Sequence, residues 1–550
     1  MRNVPRRDAV LRVWGLGIVD EVAAVEAEKA ATFAYWRERM EHAVPWTVSM
    51  LRTLEHEGFA LTHVRNSAGP VWFVRVSPPR PLQEGFGLAP EVLVVAVGGE
   101  VQARTLHEAS GEVVRSGLRL DGNLVVVADE GASPLAGRLD RIGGHGQRIA
   151  WERGRDGVWP SLTEVLRTRL PGFDAFEERD AVRGAQLVGR DAEVSSLRTR
   201  VVRGDAVGLF GLRKMGKTSV MRAVTDWFDP ASGLRDTLGG TGEPSAGIAV
   251  VVDASVLIER TVDAVADELC EALRRRMRVA GEEMPGSERG GLIGWKAAGE
   301  DLLDRERHLC VVIDEYDLLF EGESGEGAIP GIGRLFRLLR GWAQTRQGSV
   351  SLILVGRDPT YLSAPEIDGV TSPLTAWCTP MWIGPLGPPK ATELLRKLGR
   401  RVGLVVGPAS AAVAQRWTGG HPLLHRQFGS ALRFVRRTHD TAWGAPTDPV
   451  AEQAPLRFVE REAVLDVMRE VVALLRKRYP AALEVLVQLA HGASWEDALA
   501  ERGGPDGAAG RTLRNFGLVT SENALSEGLA WYLTLPNIFH EDRGLKPRTT

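Results

Sequence analysis

A glycine-rich loop followed by a lysine and a threonine is the segment of this sequence best suited to chemistry. It follows the apolar run Ala206–Phe210. Glycines let backbone N–H groups surround a phosphate, and the N-terminus of a following helix adds partial positive charge. Lys217 would neutralise the β- and γ-phosphates of a nucleotide, and Thr218 would offer its hydroxyl to Mg²⁺. The candidate nucleotide-binding residues are Gly211, Leu212, Arg213, Lys214, Met215, Gly216, Lys217, Thr218 and Ser219.

Two acidic residues close a later apolar run. Residues 309–313 are followed by Asp314 and Glu315, roughly 100 residues after the loop. In sites that hydrolyse ATP, the first carboxylate holds Mg²⁺ and the second polarises the attacking water. Apolar strands that end in acids are common, so the assignment depends on the loop and the acids together. The pair predicts hydrolysis of ATP to ADP, with Thr218 and Asp314 as the metal ligands.

Another apolar run, Val350–Val355, ends in a glycine and Arg357. A polar side chain here would sense the terminal phosphate, and the alternative is a solvated arginine at a strand end. The candidate catalytic residues are therefore Lys217, Asp314, Glu315 and Arg357.

Apolar β-like runs alternate with helical patterns around these residues, which is typical of a parallel sheet covered by helices. We predict an α/β chain: a P-loop NTPase with a helical lid, a C-terminal winged helix and an N-terminal α/β domain of unassigned fold. The predicted blocks are the N-terminal domain (1–155), a linker (156–183), the P-loop core (184–386), the lid (387–435), a second linker (436–462) and the winged helix (463–550).

The N-terminal block leaves two interpretations open. Glu91 begins a β-like run, and Glu100 follows nine residues later in a loose match to a nuclease metal pattern, with glutamine at 102 where lysine is expected. The second interpretation, which we favour, is a small α/β sensor, adaptor or effector domain.

The C-terminal block has three helical patterns, 481–491, 495–502 and 507–516, and two runs expected as wing strands, 518–521 and 531–535. Such domains often bind DNA. Residues 481–530 carry three basic residues against seven acids, whereas a module that binds DNA presents a positive surface. We therefore favour a winged helix that packs on the ATPase core. The basic residues Arg469, Arg476, Lys477 and Arg478 of the preceding helix are expected on a solvated face.

The composition is that of a soluble globular protein, with 44% hydrophobic and 25% charged residues and a net charge of −3. Three cysteines lie far apart, which indicates free thiols in a reducing compartment. The first residues lack the apolar core of a secretory signal, and no run is long enough to span a membrane. A cytoplasmic location without membrane association is therefore expected.

The order of these motifs resembles a known group of proteins. The segments LVGRDAEVSSL, FGLRKMGKTS, VVIDEYD, LILVGR and WTGGHPLL, all within 185–540, occur in the order seen in AAA+ ATPases of the origin-recognition-like group. They are also similar to STAND ATPases, including the archaeal-type ATPase family. The resemblance implies that Val188, Gly189 and Arg190 lie near the adenine. It also implies that His421 and Pro422 begin a lid helix that contacts the nucleotide; a helix start without a ligand is the alternative.

The expected function is a slow, ATP-driven switch of the STAND type, which couples the nucleotide state to homo-oligomerisation or a partner protein. A role in bacterial defence or stress follows only from the resemblance. One alternative is a DNA-binding AAA+ ATPase, such as a replication or transposition loader, with Arg511 and Arg514 reaching phosphates. Another is a pseudo-ATPase that holds its nucleotide without turnover. Candidates for an arginine finger, Arg334, Arg337 and Arg340, could equally form the basic face of a helix.

Overall fold

The chain divides into two compact units. The first comprises the residues up to Leu187 with 225–244 and 400–403, and the second comprises the rest. The computed structural model describes residues 19–67, 69–115, 120–131, 133–142, 147–154, 156–170, 174–177, 181–182, 187–228, 247–279, 290–305, 307–321, 327–346, 348–439 and 444–535. The last 15 residues of the predicted winged-helix block, 536–550, lie outside these ranges.

The first unit is built on a five-stranded mixed sheet. Strand β2 pairs antiparallel with both β1 and β3, and β3, β4 and β5 are parallel. The elements are α1 (Val19–Ala43), α2 (Thr47–His56), β1 (Ala60–Asn66), β2 (Val71–Ser77), α3 (Arg80–Phe86), β3 (Glu91–Val97), α4 (Ala103–Arg115), β4 (Leu120–Asp129), α5 (Leu135–Ile142), β5 (Gln147–Ala150) and α6 (Leu162–Arg169).

The two glutamates of the nuclease interpretation lie at opposite ends of one strand. Glu91 is the first residue of β3, and Glu100 lies three residues beyond its last residue, Val97. A seven-residue strand spans roughly 23 Å at 3.3 Å per residue, too far for both carboxylates to bind one metal ion. The described residues contain no group of three or more side chains able to hold a metal. The pairing of Glu91 with Glu100 is therefore wrong.

Part of the first predicted linker belongs to this unit. The Trp159 indole donates to Ser49 Oγ at 3.1 Å. The Glu57 carboxylate accepts from the backbone N–H groups of Leu162 and Thr163 at the start of α6. A carboxylate there satisfies N–H groups that the helix leaves unpaired. Residues 159–170 are thus packed structure rather than a linker.

The second unit contains a five-stranded parallel sheet, with β6 between β12 and β9 and with β8 between β9 and β7. Since all strands run the same way, the segments that follow β6, β8 and β9 meet at one edge. The elements are α7 (Asp191–Val202), β6 (Ala206–Phe210), α8 (Lys217–Thr225), β7 (Ile248–Asp253), α9 (Val262–Val279), α10 (Gly291–Asp304), β8 (Leu309–Asp314), α11 (Leu318–Glu321), α12 (Ile332–Thr345), β9 (Val350–Val355), the hairpin β10 (Glu366–Ile367) and β11 (Val370–Thr371), and β12 (Cys378–Trp382).

The predicted lid is helical, and the segment after it is also folded. The lid elements are α13 (Pro388–Arg401), β13 (Leu404–Val405), α14 (Pro408–Thr418) and α15 (Pro422–His439). Strand β14 (Ala445–Pro446) pairs with β13, and α16 (Ala454–Val459) buries Phe458. The second predicted linker, 436–462, is therefore wrong for its described residues, because Val450, Ala454 and Phe458 are buried.

The C-terminal block has the three expected helices and a different ending. A long helix, α17 (Glu462–Arg478), precedes α18 (Pro480–Ala490), α19 (Trp495–Leu499) and α20 (Ala508–Asn515). A single antiparallel bridge joins Val519 to Leu525. The second wing strand, predicted at 531–535, is wrong: α21 (Glu527–Leu533) occupies most of it, capped by Ser526, whose hydroxyl accepts from the N–H of Leu529.

A search of the described helices for a membrane span found none with the length and apolar character that crossing would need.

Candidate nucleotide site

The loop after β6 has the backbone that its glycines predict. Gly211 and Gly216 have φ of 147° and 94°, in a region that disfavours side chains. A Cβ at Gly211 would also overlap the carbonyl oxygen of Ile383. Helix α8 begins at Lys217, so the loop surrounds a helix N-terminus. Backbone N–H groups at such a helix N-terminus are able to bind an anion.

Lys217 lies inside the loop. Its Nζ donates to the carbonyl oxygens of Gly211 and Leu212, both at 2.9 Å. Desolvation lowers the pKa of this ammonium from 10.5 to about 8, although the charges of Glu315 and Asp314 oppose the shift. A buried ammonium held by two neutral carbonyls gains most from a new anionic partner, and a terminal phosphate supplies one.

The two predicted metal ligands meet. The Thr218 hydroxyl donates to Asp314 Oδ2 at 3.1 Å, and burial raises the pKa of the Asp314 carboxyl. A hydroxyl and a carboxylate are hard oxygen donors, and Mg²⁺ is commonly held by one or two such groups together with substrate phosphates and water. The donor set therefore fits Mg²⁺ bound together with a nucleotide.

Glu315 lies at the same sheet edge in an unusual conformation. Its φ is 51°, and its N–H donates to the carboxylate of Asp314 at 3.0 Å. Left-handed backbone is uncommon for non-glycine residues and is concentrated at functional sites. Here it places the acid beside the loop, close enough for its charge to act on Lys217.

Arg357 is joined to the loop through its backbone. Its carbonyl accepts from the Gly211 N–H at 3.2 Å, and its own N–H donates to Asp317 Oδ2 at 2.8 Å. Its charge also lowers the pKa of Lys217. Sequence reasoning missed Asp317, a buried acid whose pKa desolvation raises to about 6. The available signal was a second aspartate three residues after Asp314.

The segment Val188 to Arg190 is fixed by close packing. A Cβ at Gly189, where φ is 75°, would lie 2.7 Å from the Lys390 Cβ. The buried Arg190 guanidinium donates to the carbonyl oxygens of Met215 at 2.8 Å and Gly384 at 2.6 Å. Arg190 thereby holds the loop against the connector that leads to the lid.

His421 also reaches the loop. With Nε2 protonated, it donates to the Arg213 carbonyl at 3.1 Å, and Nδ1 then accepts from the Leu424 N–H at 3.4 Å. Burial lowers the pKa of His421 to about 4, so the ring is neutral at physiological pH. Pro422 begins α15, as expected for a first-turn residue. In this structure His421 supports the loop backbone, and the predicted phosphate contact remains a prediction.

A cavity that is open to solvent borders the loop. Its lining includes the loop residues Leu212 and Met215, the lid residue Leu424 and, from the C-terminal block, Met468 and Val519. The lid and the C-terminal block therefore both contact the loop that would hold the phosphates.

Comparison with known proteins finds similar solved structures at low sequence identity. No family model and no curated protein matches the chain. Among solved structures, the Walker-type ATPase PABY2304 of Pyrococcus abyssi is 20% identical with a TM-score of 0.42, covering 65% of this chain and 99% of that one. The Aeropyrum pernix ORC2 protein in ADPNP–ADP complexes is 14% identical with a TM-score of 0.40, covering 65% and 95%. The A. pernix ORC1 protein in complex with DNA is 20% identical with a TM-score of 0.32, covering 67% and 96%.

Proposed function

We propose that this chain binds ATP with Mg²⁺, hydrolyses it slowly to ADP and phosphate, and changes conformation with the bound nucleotide. One observation carries the proposal. At the start of α8, the Thr218 hydroxyl lies 3.1 Å from the Asp314 carboxylate while Lys217 is held inside the loop that precedes it. Three groups with complementary roles toward a magnesium-bound phosphate thus meet at one helix N-terminus.

Each residue has a distinct role in this proposal. Lys217 leaves its two loop carbonyls and pairs with the phosphates, while Thr218 and Asp314 hold the metal. Bound Mg²⁺ would neutralise the charge that develops on the phosphate oxygens. Glu315 orients and deprotonates the attacking water, and Arg357 contacts the terminal phosphate. Val188 to Arg190 and the start of α15 would contact the rest of the nucleotide.

The C-terminal block supports a switch because it packs directly on the core. Phe516 contacts Trp382 of β12 with ring centroids 5.2 Å apart. A Cβ on the next residue, Gly517, would overlap the Pro385 ring. Pro385 and Gly517 line the same cavity as the loop residues Leu212 and Met215. A nucleotide that moves the loop or the lid would therefore change the surface on which the C-terminal block packs. Assembly with further copies or a partner protein would be the output.

The second candidate is a DNA-binding ATPase. It is favoured by the exposed Arg511 on α20. Arg514 is less available, because its guanidinium stacks 5.3 Å from the Trp495 ring centroid. If DNA is the partner, duplex binding should weaken with salt and in Arg511→Ala.

The deciding experiment measures nucleotide content, phosphate release and mass of the purified chain, beside Lys217→Ala and Glu315→Gln. We expect the wild type to carry ADP or ATP, Lys217→Ala to be empty, and Glu315→Gln to retain ATP in an altered assembly state by light scattering. Hydrolysis that Glu315→Gln leaves unchanged would refute the assigned role of Glu315. A chain that binds and lacks turnover would be a pseudo-ATPase, and one that binds no nucleotide would overturn the site itself.

A further inference from the structure

Helix α17 contacts the P-loop core at two separate points. Near its middle, Glu470 pairs with Arg213 of the loop. At its last residue, Arg478 pairs with Asp358 and Glu321 of the core. The expectation that Arg478 lies on a solvated face is therefore wrong, since only 11% of its side chain is exposed. The expectation does hold for Arg469, which is exposed and pairs with Asp466 one turn earlier.

The guanidinium of Arg478 occupies a polar cluster against the core. It donates to Asp358 Oδ1 and to the Tyr361 hydroxyl, both at 3.2 Å, and lies 5.1 Å from the centroid of the Tyr361 ring. The neighbouring Lys477 donates to Glu321 Oε2 at 2.8 Å. A planar fork that satisfies a carboxylate and a hydroxyl at once is a contact that lysine does not reproduce.

Asp358 is buried and hydrogen-bonded next to Arg357. Asp358 is fully buried, and its carbonyl accepts from the Tyr316 hydroxyl at 2.8 Å. Its neighbour, Arg357, is bonded through its backbone to Asp317 on one side and to Gly211 on the other. A continuous series of contacts therefore leads from Arg478 to the side chain of Asp358, along the backbone to Arg357, and through a hydrogen bond to Gly211.

We propose that Arg478 is a positioning residue for ATP hydrolysis. By binding Asp358 it fixes Arg357 at the phosphate site, so that the hydrolysis rate depends on where α17 lies. Because α17 also contacts the loop through Glu470, this helix of the C-terminal block contacts the core both at the loop and at the residue next to Arg357. The inference rests on the function proposed above and adds a residue that touches neither nucleotide nor metal.

The test is a double-mutant cycle between Arg478→Lys and Arg357→Ala, with kcat and ATP affinity measured for the full-length chain. A displaced catalytic group lowers kcat without weakening ground-state binding. We expect Arg478→Lys to lower kcat on the order of 10-fold and to leave the Kd for ATP within about twofold. In the Arg357→Ala background, Arg478→Lys should cause no further loss, because its effect passes through Arg357. Arg469→Ala is the matched control on the same helix and should leave kcat unchanged.

Folding is controlled by a second variant. Replacing Arg478 alone by an uncharged residue leaves a buried carboxylate unpaired, so Arg478→Gln is combined with Asp358→Asn, which keeps a hydrogen-bonding pair without charge. This double variant should melt as a folded protein. Its kcat should still fall, because a glutamine amide does not reproduce the two contacts, to residue 358 and to the Tyr361 hydroxyl, that the guanidinium makes. Hydrogen exchange in 350–361 gives a readout independent of turnover: it should rise in Arg478→Lys and stay at the wild-type level in Arg469→Ala.

Any one of three results would overturn the inference. The first is an unchanged kcat in both Arg478→Lys and the Arg478→Gln/Asp358→Asn variant, and the second is a loss in the Arg478→Lys/Arg357→Ala double mutant equal to the product of the two single losses. The third is hydrogen exchange in 350–361 that Arg478→Lys leaves unaltered. Failure of the proposed function looks different, because then the wild type itself releases no more phosphate than Lys217→Ala. In that case the catalytic part of the inference fails with it.

Discussion

We expect the proposed contact of Lys217 with the phosphates to make nucleotide binding sensitive to pH. Its folded-state pKa, about 8, lies below the ordinary 10.5 because desolvation disfavours the charged form. Phosphates bind the ammonium form, so above pH 8 each binding event must include uptake of a proton. Affinity for ATP should therefore fall by up to about tenfold per pH unit above pH 8. Titration with a fluorescent ATP analogue from about pH 7 to 9.5 measures this pH dependence of the affinity.

The control for this titration is Lys217→Arg. An arginine stays charged throughout the range, so its affinity, although lower, should not vary with pH. For the wild type without nucleotide we expect the opposite trend in stability. Because the unfolded chain binds the extra proton, the contribution of Lys217 to the free energy of unfolding should rise between about pH 8 and 10.5. A wild-type affinity that is flat above pH 8 would contradict the assignment of Lys217 to the phosphates.

Glu315 has a strained backbone conformation at the position where we propose that it acts in hydrolysis. A left-handed residue with a side chain costs roughly 1 kcal/mol or more, and glycine adopts that conformation freely. With φ at 51°, Glu315→Gly should unfold at or above the wild-type temperature while hydrolysis falls by about 100-fold or more. Glu315→Gln keeps the strain and should lose the same activity without gaining stability. Calorimetry beside a phosphate-release assay distinguishes the Glu315→Gly variant from the Glu315→Gln variant. A large loss of stability in Glu315→Gly would show that the left-handed conformation at this position is not strained.

At the scale of elements, the turn after α20 packs through Gly517 against Pro385, in the segment that follows β12. Gly517 has a φ of 65°, and a Cβ there would overlap Pro385. Gly517→Ala should destabilise the packing of the C-terminal block by about 1–3 kcal/mol and increase its cleavage by protease. Gly492→Ala is matched to it, because φ is also positive, at 92°, and the space around its Cβ is empty. Equal effects of the two substitutions would show that the Pro385 contact contributes nothing.

Some elements of this chain have local sequence signals, and others depend on contacts between distant residues. The strand, loop and helix around Lys217 were predicted because their signals are local and occur within about 20 residues. Helix α21 was missed although Ser526 is a local capping signal, since its short apolar run also fits a strand. The pairing of Arg478 with Asp358 joins residues 120 positions apart, and local patterns carry no information about it. The strand order of the N-terminal sheet likewise depends on tertiary packing.

At the scale of the whole molecule, the nucleotide should stabilise more than the loop that binds it. Ligand that binds only the folded state adds RT ln(1 + [L]/Kd), so ATP at about one hundred times its Kd adds about 2.7 kcal/mol. The proposed contacts run from Val188 to Pro422 within one compact unit. With Mg²⁺ and ATP, hydrogen exchange should therefore slow in β6, β8, β9 and the start of α15. Lys217→Ala should show none of this protection, and protection confined to 211–219 would mean that the lid and the acidic strand do not respond to the nucleotide.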